Sequence, residues 1–380
     1  MSSLDWIAPK IDDRRRLIFG DGCRLMAEVD LLALGDWANR ERFLRFPEPE
    51  VTFVVDSNPN YTNICETNCS FCAFHRRSGD AEAYRLTPEE LGEKVELAVK
   101  LGATRVLIQG GHNPDLKLED YMNLISHLRE LFPGIALHLF SAPEISSMAN
   151  NMGLSVKEVL QEFWNAGLCT LPGGGAEILT DEIRRKISAK KGTPAEWLDV
   201  HRTAHEIGYR TTATMMFGHI ETDRDIVEHL DGLRTLQDET GGFFSFTPWS
   251  FKRGQVPLSE VVKRQAGAGK YLRILALSRL YLDNFEHIQG SWFSEGKKTG
   301  QLSLRFGADD FGGTLIEENV LRSAEWFNQT DTPEVVRIIQ DAGFIPVERT
   351  STYERIRTYP GPSINHELNQ NFAGGAYARP

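Results

Sequence analysis

The sequence predicts an α/β protein built on a parallel (β/α) barrel of TIM type, complete or nearly so, with helical extensions at both ends. Three observations lead there. From residue 51 onward short β-like runs alternate with amphipathic helices. The intervening helices carry clear start and stop signals. The first fifty residues are helical, with apolar positions at helical spacing through LMAEVDLLALGDWANRERF.

The elements follow in order. Residues 1–50 form a helical N-terminal extension, 51–320 the barrel, and 321–380 a C-terminal helical extension and tail. The β-like runs are VTFVV (51–55), TRVLIQ (104–109), IALHLF (135–140), LCTL (168–171), TTATMM (211–216) and FFSF (243–246), with FEHIQ (285–289) and LSLRF (302–306) fainter. In LTPEELGEKVELAVKLG, Thr87 caps a helix, Pro88 suits its first position and Gly102 stops it. In SVKEVLQEFWNAG, Ser155 and Glu158 are spaced as a capping box and Gly167 terminates. Such alternation builds a parallel sheet from right-handed βαβ units, whose chemistry gathers on the loops after the strands.

Composition narrows the class. Apolar residues are 41% and charged residues 25%, as in globular proteins, and the net charge of −11 argues against nucleic acid or an anionic membrane as a partner. No apolar run reaches the length of a membrane helix, and the first residues lack the apolar stretch of a signal peptide, so a cytoplasmic location is expected. Cys23 and Cys169 stand alone in apolar surroundings and read as buried small side chains. The tail YPGPSINHELNQNFAGGAYARP reads as a surface extension without assigned chemistry.

Cys65, Cys69 and Cys72 lie in YTNICETNCSFCAFHRR, just after the first strand. Three thiolates on one short loop can ligate three irons of a cubane and leave the fourth iron open to a chelating small molecule. The alternative is a structural zinc site, with His75 offered as the fourth ligand. The next strand ends in Gln109-Gly110-Gly111-His112, where glycines let a ligand approach the backbone.

The Cys-x3-Cys-x2-Cys spacing, with Phe71 before the last cysteine, resembles the radical S-adenosylmethionine superfamily. The resemblance implies a [4Fe–4S] cluster on the three cysteines and S-adenosyl-L-methionine as cofactor. Phe71 would then lie near its adenine, and Gln109, Gly110 and Gly111 near its methionine end. Where many members have an acidic residue after the glycines, this chain has His112. Ser141 and Glu144, after the third strand, would meet the cofactor ribose, Glu144 being equally placed to cap the next helix.

Within the superfamily, CAFHRRSGDAEAY, LPGGGAEILTDEIRRKIS, TTATMMFGHIET, FTPWSF and GADDFGGTLIEENV resemble the dehypoxanthine futalosine cyclases of menaquinone biosynthesis. Ser57-Asn58-Pro59-Asn60 departs from the Arg-Asn-Ile-Asn usual there. The resemblance implies a radical cyclase, of oxidoreductase type. A 5′-deoxyadenosyl radical would remove the ribose 4′ hydrogen of dehypoxanthine futalosine, the carbon radical would close onto the benzoate ring, and loss of one electron and of a proton to a nearby base would restore an ordinary product. It also implies a low-potential electron donor such as flavodoxin or ferredoxin.

His219 (with Glu221), Asp309 (beside Asp310) and Glu177, after Gly173-Gly174-Gly175, are the candidates for that base; each also suits a structural role. Arg76 and Arg77 are candidates to face the substrate carboxylate. His201 and His205 stand at metal-like i, i+4 spacing on an outer helix and read as structural. An aminofutalosine synthase, which adds the adenosyl radical to its substrate, is the alternative within the same chemistry. A non-catalytic iron–sulfur or zinc regulator is the alternative outside it.

Overall fold

The computed structural model describes residues 6–362. Three helices, Ala8–Asp12, Phe19–Glu28 and Leu31–Arg45, lead into β1 (Glu50–Val54) and, one residue on, β2 (Asp56–Ser57). Strands β3 (Arg105–Ile108), β4 (Ala136–Leu139), β5 (Thr170–Leu171), β6 (Arg210–Phe217), β7 (Phe243–Ser250), β8 (His287–Ile288) and β9 (Asp310–Gly313) follow, separated by helices.

Backbone pairing gathers these strands into parallel sheets in chain order: β2-β3-β4, then β5-β6-β7-β8, with β9 beside β1. Between β8 and β9 the link is a single bridge, Gln289 to Asp310. Between β4 and β5 it runs through the Thr170 hydroxyl, 2.9 Å from His138 Nδ1 and 3.4 Å from Leu137 O. The expected barrel is thus realised as parallel sheets with helices outside them, and the ladder is not continuous around a ring.

The helices sit where their signals put them. Thr87 accepts a hydrogen bond from Glu90 N while Glu90 accepts one from Thr87 N, starting the helix Pro88–Lys100. Such a cap contributes about 1 kcal/mol, whereas the buried face of Leu91 and Val95 contributes about 1.5–3 kcal/mol per side chain. Packing therefore holds the helix and the cap sets where it begins. Val106, Ile108, Leu137 and Leu139 supply the sheet side of the core.

Two expectations are corrected. LSLRF is not a strand: Leu302 and Ser303 end the helix Lys297–Ser303, and the strand comes later, as DFGG. Gly300 packs against Trp292 within that helical stretch, and Leu302, which strand alternation would bury with Leu304, is 51% exposed. The C-terminal extension is only partly helical. After the helix Thr332–Asp341 come β10 (Ile345–Arg349), parallel to β1, and β11 (Arg355–Thr358), antiparallel to β10. The sheet turns away from β1 at β2, which leaves β1 an edge for β10 to fill. Most of the Gly- and Pro-rich tail lies outside the described residues.

Candidate active site

The segment after β2 is tied down from several sides, and this is what aims its thiols. Cys65 N donates to Arg76 O at 2.9 Å and Arg76 N to Asn63 O at 2.8 Å, closing the loop on itself. Gly111 N donates to Thr62 O at 3.0 Å and Glu66 N to His112 O at 3.1 Å, fastening it to the end of β3. Ser70 N donates to Ile187 O and Leu258 N to Ser70 O, each at 2.8–2.9 Å. Thr67 Oγ1 lies 3.0 Å from Cys65 Sγ and 3.6 Å from Cys69 Sγ. Burial pushes the Cys69 thiol up to about 11.

All three thiols stand on the wall of one cavity of about 300 Å³ that runs from this loop into the sheet interior. Gln109, Gly110, Gly111, Ser141 and Glu144 line it too, as do Phe71 and Glu177. Gly111 is obligatory: a Cβ there would collide with Ile64 O and come within 2.9 Å of Cys65 Cβ. The buried Glu144 carboxylate accepts from Ser141 N, Ser141 Oγ, Gly110 N and Tyr61 OH, all within 2.9 Å. Its helix-capping role is therefore the one the structure displays, and through Gly110 it also sets the end of β3. Burial raises its pKa against those four donors.

Glu177 has a left-handed backbone (φ 49°) and pairs with Lys191 Nζ at 2.6 Å. Lys191 also lies 5.3 Å from the centre of the Phe71 ring. Although burial opposes it, the charges of Glu177 and Cys69 raise the Lys191 pKa. Sequence reasoning passed over Lys191, because a lysine in the turn AKKG carries no local sign of a buried partner.

The other two candidate bases lie elsewhere. His219 is not on the cavity wall. Its Nε2 meets Met216 O at 3.0 Å, its Nδ1 accepts from Ile220 N at 2.8 Å, and burial lowers its pKa. Its neighbour Glu221 is held by Gly218 N, His219 N and Lys270 Nζ. Asp309 is likewise off the wall, its carboxylate enclosed by Arg279, His287 Nδ1 and Ile288 N. Neither lines the cavity, and the polar atoms of each are engaged by neighbouring groups of the fold. Asp310 pairs with Arg349 of β10. Arg76 is taken by Glu82 and by carbonyls of its own loop, and neither Arg76 nor Arg77 lines the cavity. His201 has both ring nitrogens buried without partners, against Trp197 and Phe243.

The donor set suits a cluster better than a single ion. Among the described residues no group of three or more His, Cys, Asp or Glu side chains is placed to hold one metal ion. Thiolates sharing one zinc must all approach within ~2.3 Å of it, whereas thiolates on three irons of a cube stand apart. His75 does not supply a fourth ligand: Nδ1 is 2.8 Å from Cys72 O and Nε2 3.0 Å from Asn68 Oδ1.

A parallel sheet with three such thiols after its first strands defines the class of radical S-adenosylmethionine enzymes, and the comparisons agree. The model of the radical SAM superfamily matches residues 60–233, and that of the CofH/MqnC C-terminal region matches residues 240–362. The chain belongs to the CofH/MqnC family of radical S-adenosylmethionine enzymes.

A cyclic dehypoxanthine futalosine synthase of Halalkalibacterium halodurans is 39% identical over 94% of this chain and 96% of its own. An aminodeoxyfutalosine synthase of Thermus thermophilus is 40% identical over 93% and 96%. A 5-amino-6-(D-ribitylamino)uracil–L-tyrosine 4-hydroxyphenyl transferase of Methanopyrus kandleri is 40% identical over 85% and 89%. In structure, the [FeFe]-hydrogenase maturase HydG matches with a TM-score of 0.75 at 16% identity, over 98% of this chain and 81% of that one, a likeness of fold. The family implies a [4Fe–4S] cluster and S-adenosylmethionine. No helix of the described residues is long and apolar enough to cross a membrane.

Proposed function

We propose that this chain cyclises dehypoxanthine futalosine in menaquinone biosynthesis, as a radical S-adenosylmethionine enzyme. The observation that carries the reading is one cavity that joins the three thiols to a facing carboxylate, Glu177. Its relatives named cyclic dehypoxanthine futalosine synthase, matched over nearly the whole chain in the nearer case, supply the substrate. Bound here, the cluster and S-adenosylmethionine would supply a 5′-deoxyadenosyl radical that takes the ribose 4′ hydrogen, so that the sugar carbon closes onto the benzoate ring.

The residues of the chain do the rest. Cys65, Cys69 and Cys72 hold the cluster, Phe71 backs the adenine, and Gln109, Gly110 and Gly111 receive the methionine end. Ser141 and Glu144 keep that strand end in shape. Glu177, oriented by Lys191, accepts the final proton while the cyclised radical gives up one electron, which the cluster or the donor protein would take back, and the cavity walls limit the access of water to the radical. The parallel sheets act as one incomplete barrel around this cavity, which residues 51–320 supply. A small one-electron donor protein such as flavodoxin or ferredoxin and a cytoplasmic setting complete the proposal.

A second reading, adenosyl addition as in an aminodeoxyfutalosine synthase, rests on a likeness of the same extent. One anaerobic assay separates the two. With dehypoxanthine futalosine, S-adenosylmethionine and a reductant, cyclisation yields free 5′-deoxyadenosine, methionine and a product two hydrogens lighter than the substrate. Unchanged dehypoxanthine futalosine, with an adenosyl group built into the aminodeoxyfutalosine synthase substrate when that is supplied, would overturn the proposal. If Glu177 is the base, Glu177→Gln still releases deoxyadenosine but forms cyclic product at least ~100-fold more slowly.

A further inference from the structure

Among the described residues the cavity wall carries two cations of the Lys and Arg type, and they are differently engaged. Lys191 is spent on Glu177 beside the thiol loop. Arg105, the first residue of β3, lies at the other end, on the cavity floor beside Asp56 of β2. It is 7% exposed, and among the described residues its guanidinium hydrogen-bonds through Nη2 to Asp56 Oδ2. Its Nε is buried with no partner. Asp56 does not complete it: its other carboxylate oxygen accepts from Leu315 N at 3.0 Å and makes no hydrogen bond to the guanidinium. Asn58 Oδ1, on the same wall, is also buried and unpaired.

Buried guanidinium N–H groups without acceptors are costly, and natural folds keep them mainly where something else completes them. An arginine satisfies a carboxylate with two N–H bonds from one planar fork. Arg76 and Arg77, expected to meet the substrate carboxylate, are outside the cavity. We infer that Arg105 is the carboxylate receptor of this enzyme, seating an aryl carboxylate on the cavity floor so that the ring and its sugar extend toward the thiol loop. The inference rests on the proposed function for the presence of that carboxylate in the substrate.

The test is binding of benzoate and benzamide, as probes, to the anaerobically reconstituted holoenzyme, followed by calorimetry or ligand-observed NMR. Benzoate is expected to bind at least ~10-fold better than benzamide, and Arg105→Gln to abolish that preference, as expected for loss of a charge-assisted pair. Because Arg105→Gln leaves Asp56 buried without its cation, the double variant R105Q/D56N is measured beside it. It should regain the melting temperature and still lack the preference, while Arg105→Lys keeps part of it. Equal binding of the two probes by the unaltered enzyme, or a preference surviving in R105Q and R105Q/D56N, overturns the inference even where dehypoxanthine futalosine is cyclised. Failure of cyclisation with an Arg105-dependent preference would instead remove the substrate assignment and leave the carboxylate seat standing.

Discussion

Both ring nitrogens of His75 are spent inside its own loop, and this small fact separates a cluster from a zinc site. Recruiting the ring to a metal would take it from its contacts with Cys72 O and Asn68 Oδ1. We therefore expect Cys65→Ala, Cys69→Ala and Cys72→Ala each to lose most of the about four irons a cubane carries after anaerobic reconstitution. His75→Ala should retain them, and iron and sulfide analysis checks both. A variant in which His75→Ala loses metal while zinc is found in the purified chain would point to the mononuclear site. The thiol spacing was legible because it is local. The burial of the Glu177–Lys191 pair was not, since nothing near either residue announces the other.

At the scale of elements, the end of β3 matters more than its length. Gly111 lets the thiol loop lie directly on the strand end, with Gly111 N bonded to Thr62 O. Gly111→Ala should push the loop off through Ile64 O and cut iron incorporation by more than half, as read from the iron content and the cluster's visible absorption. Full iron content would show that the contact can relax. His201 makes the opposite point on the helix Pro194–Ile207: its i, i+4 partner suggests a metal, yet its ring packs against Trp197 with no polar partner. Removing two unsatisfied buried nitrogens costs little, so His201→Leu should be neutral or stabilise by about 1–2 kcal/mol in urea unfolding. A large loss would mean the ring holds something.

Across the whole molecule, buried ionisable groups tie stability to pH. Burial lowers His112 and His229 to about 3 and His205 to about 4, all below the ordinary value of 6.5. The unfolded chain then binds more protons than the folded one below about pH 6.5. Stability is full above that value and is lost as pH falls toward 4. Asp309 adds a lower window: burial alone would raise it, but Arg279 and His287 hold it below the ordinary carboxylate value, so its contribution disappears below about pH 4. Urea midpoints at pH 7, 5.5 and 4.5 should decline in that order, and a flat profile would contradict the burial. Asp309→Asn should cost about 3–5 kcal/mol at pH 7, because it strands the buried Arg279 guanidinium.

The amino-acid sequence by itself determined the helices, most strands of the parallel sheets and the thiol loop. Each is written in periodicity, capping residues or spacing over a dozen neighbours. Only the tertiary structure decided that β10 completes the edge of β1, that LSLRF is helical and turned, that His219 and Asp309 lie off the cavity wall, and that Lys191 and Arg105 line it. These depend on contacts between residues far apart in the chain. For such contacts burial and charge pairing outweigh local preference, and no short stretch of sequence contains both partners.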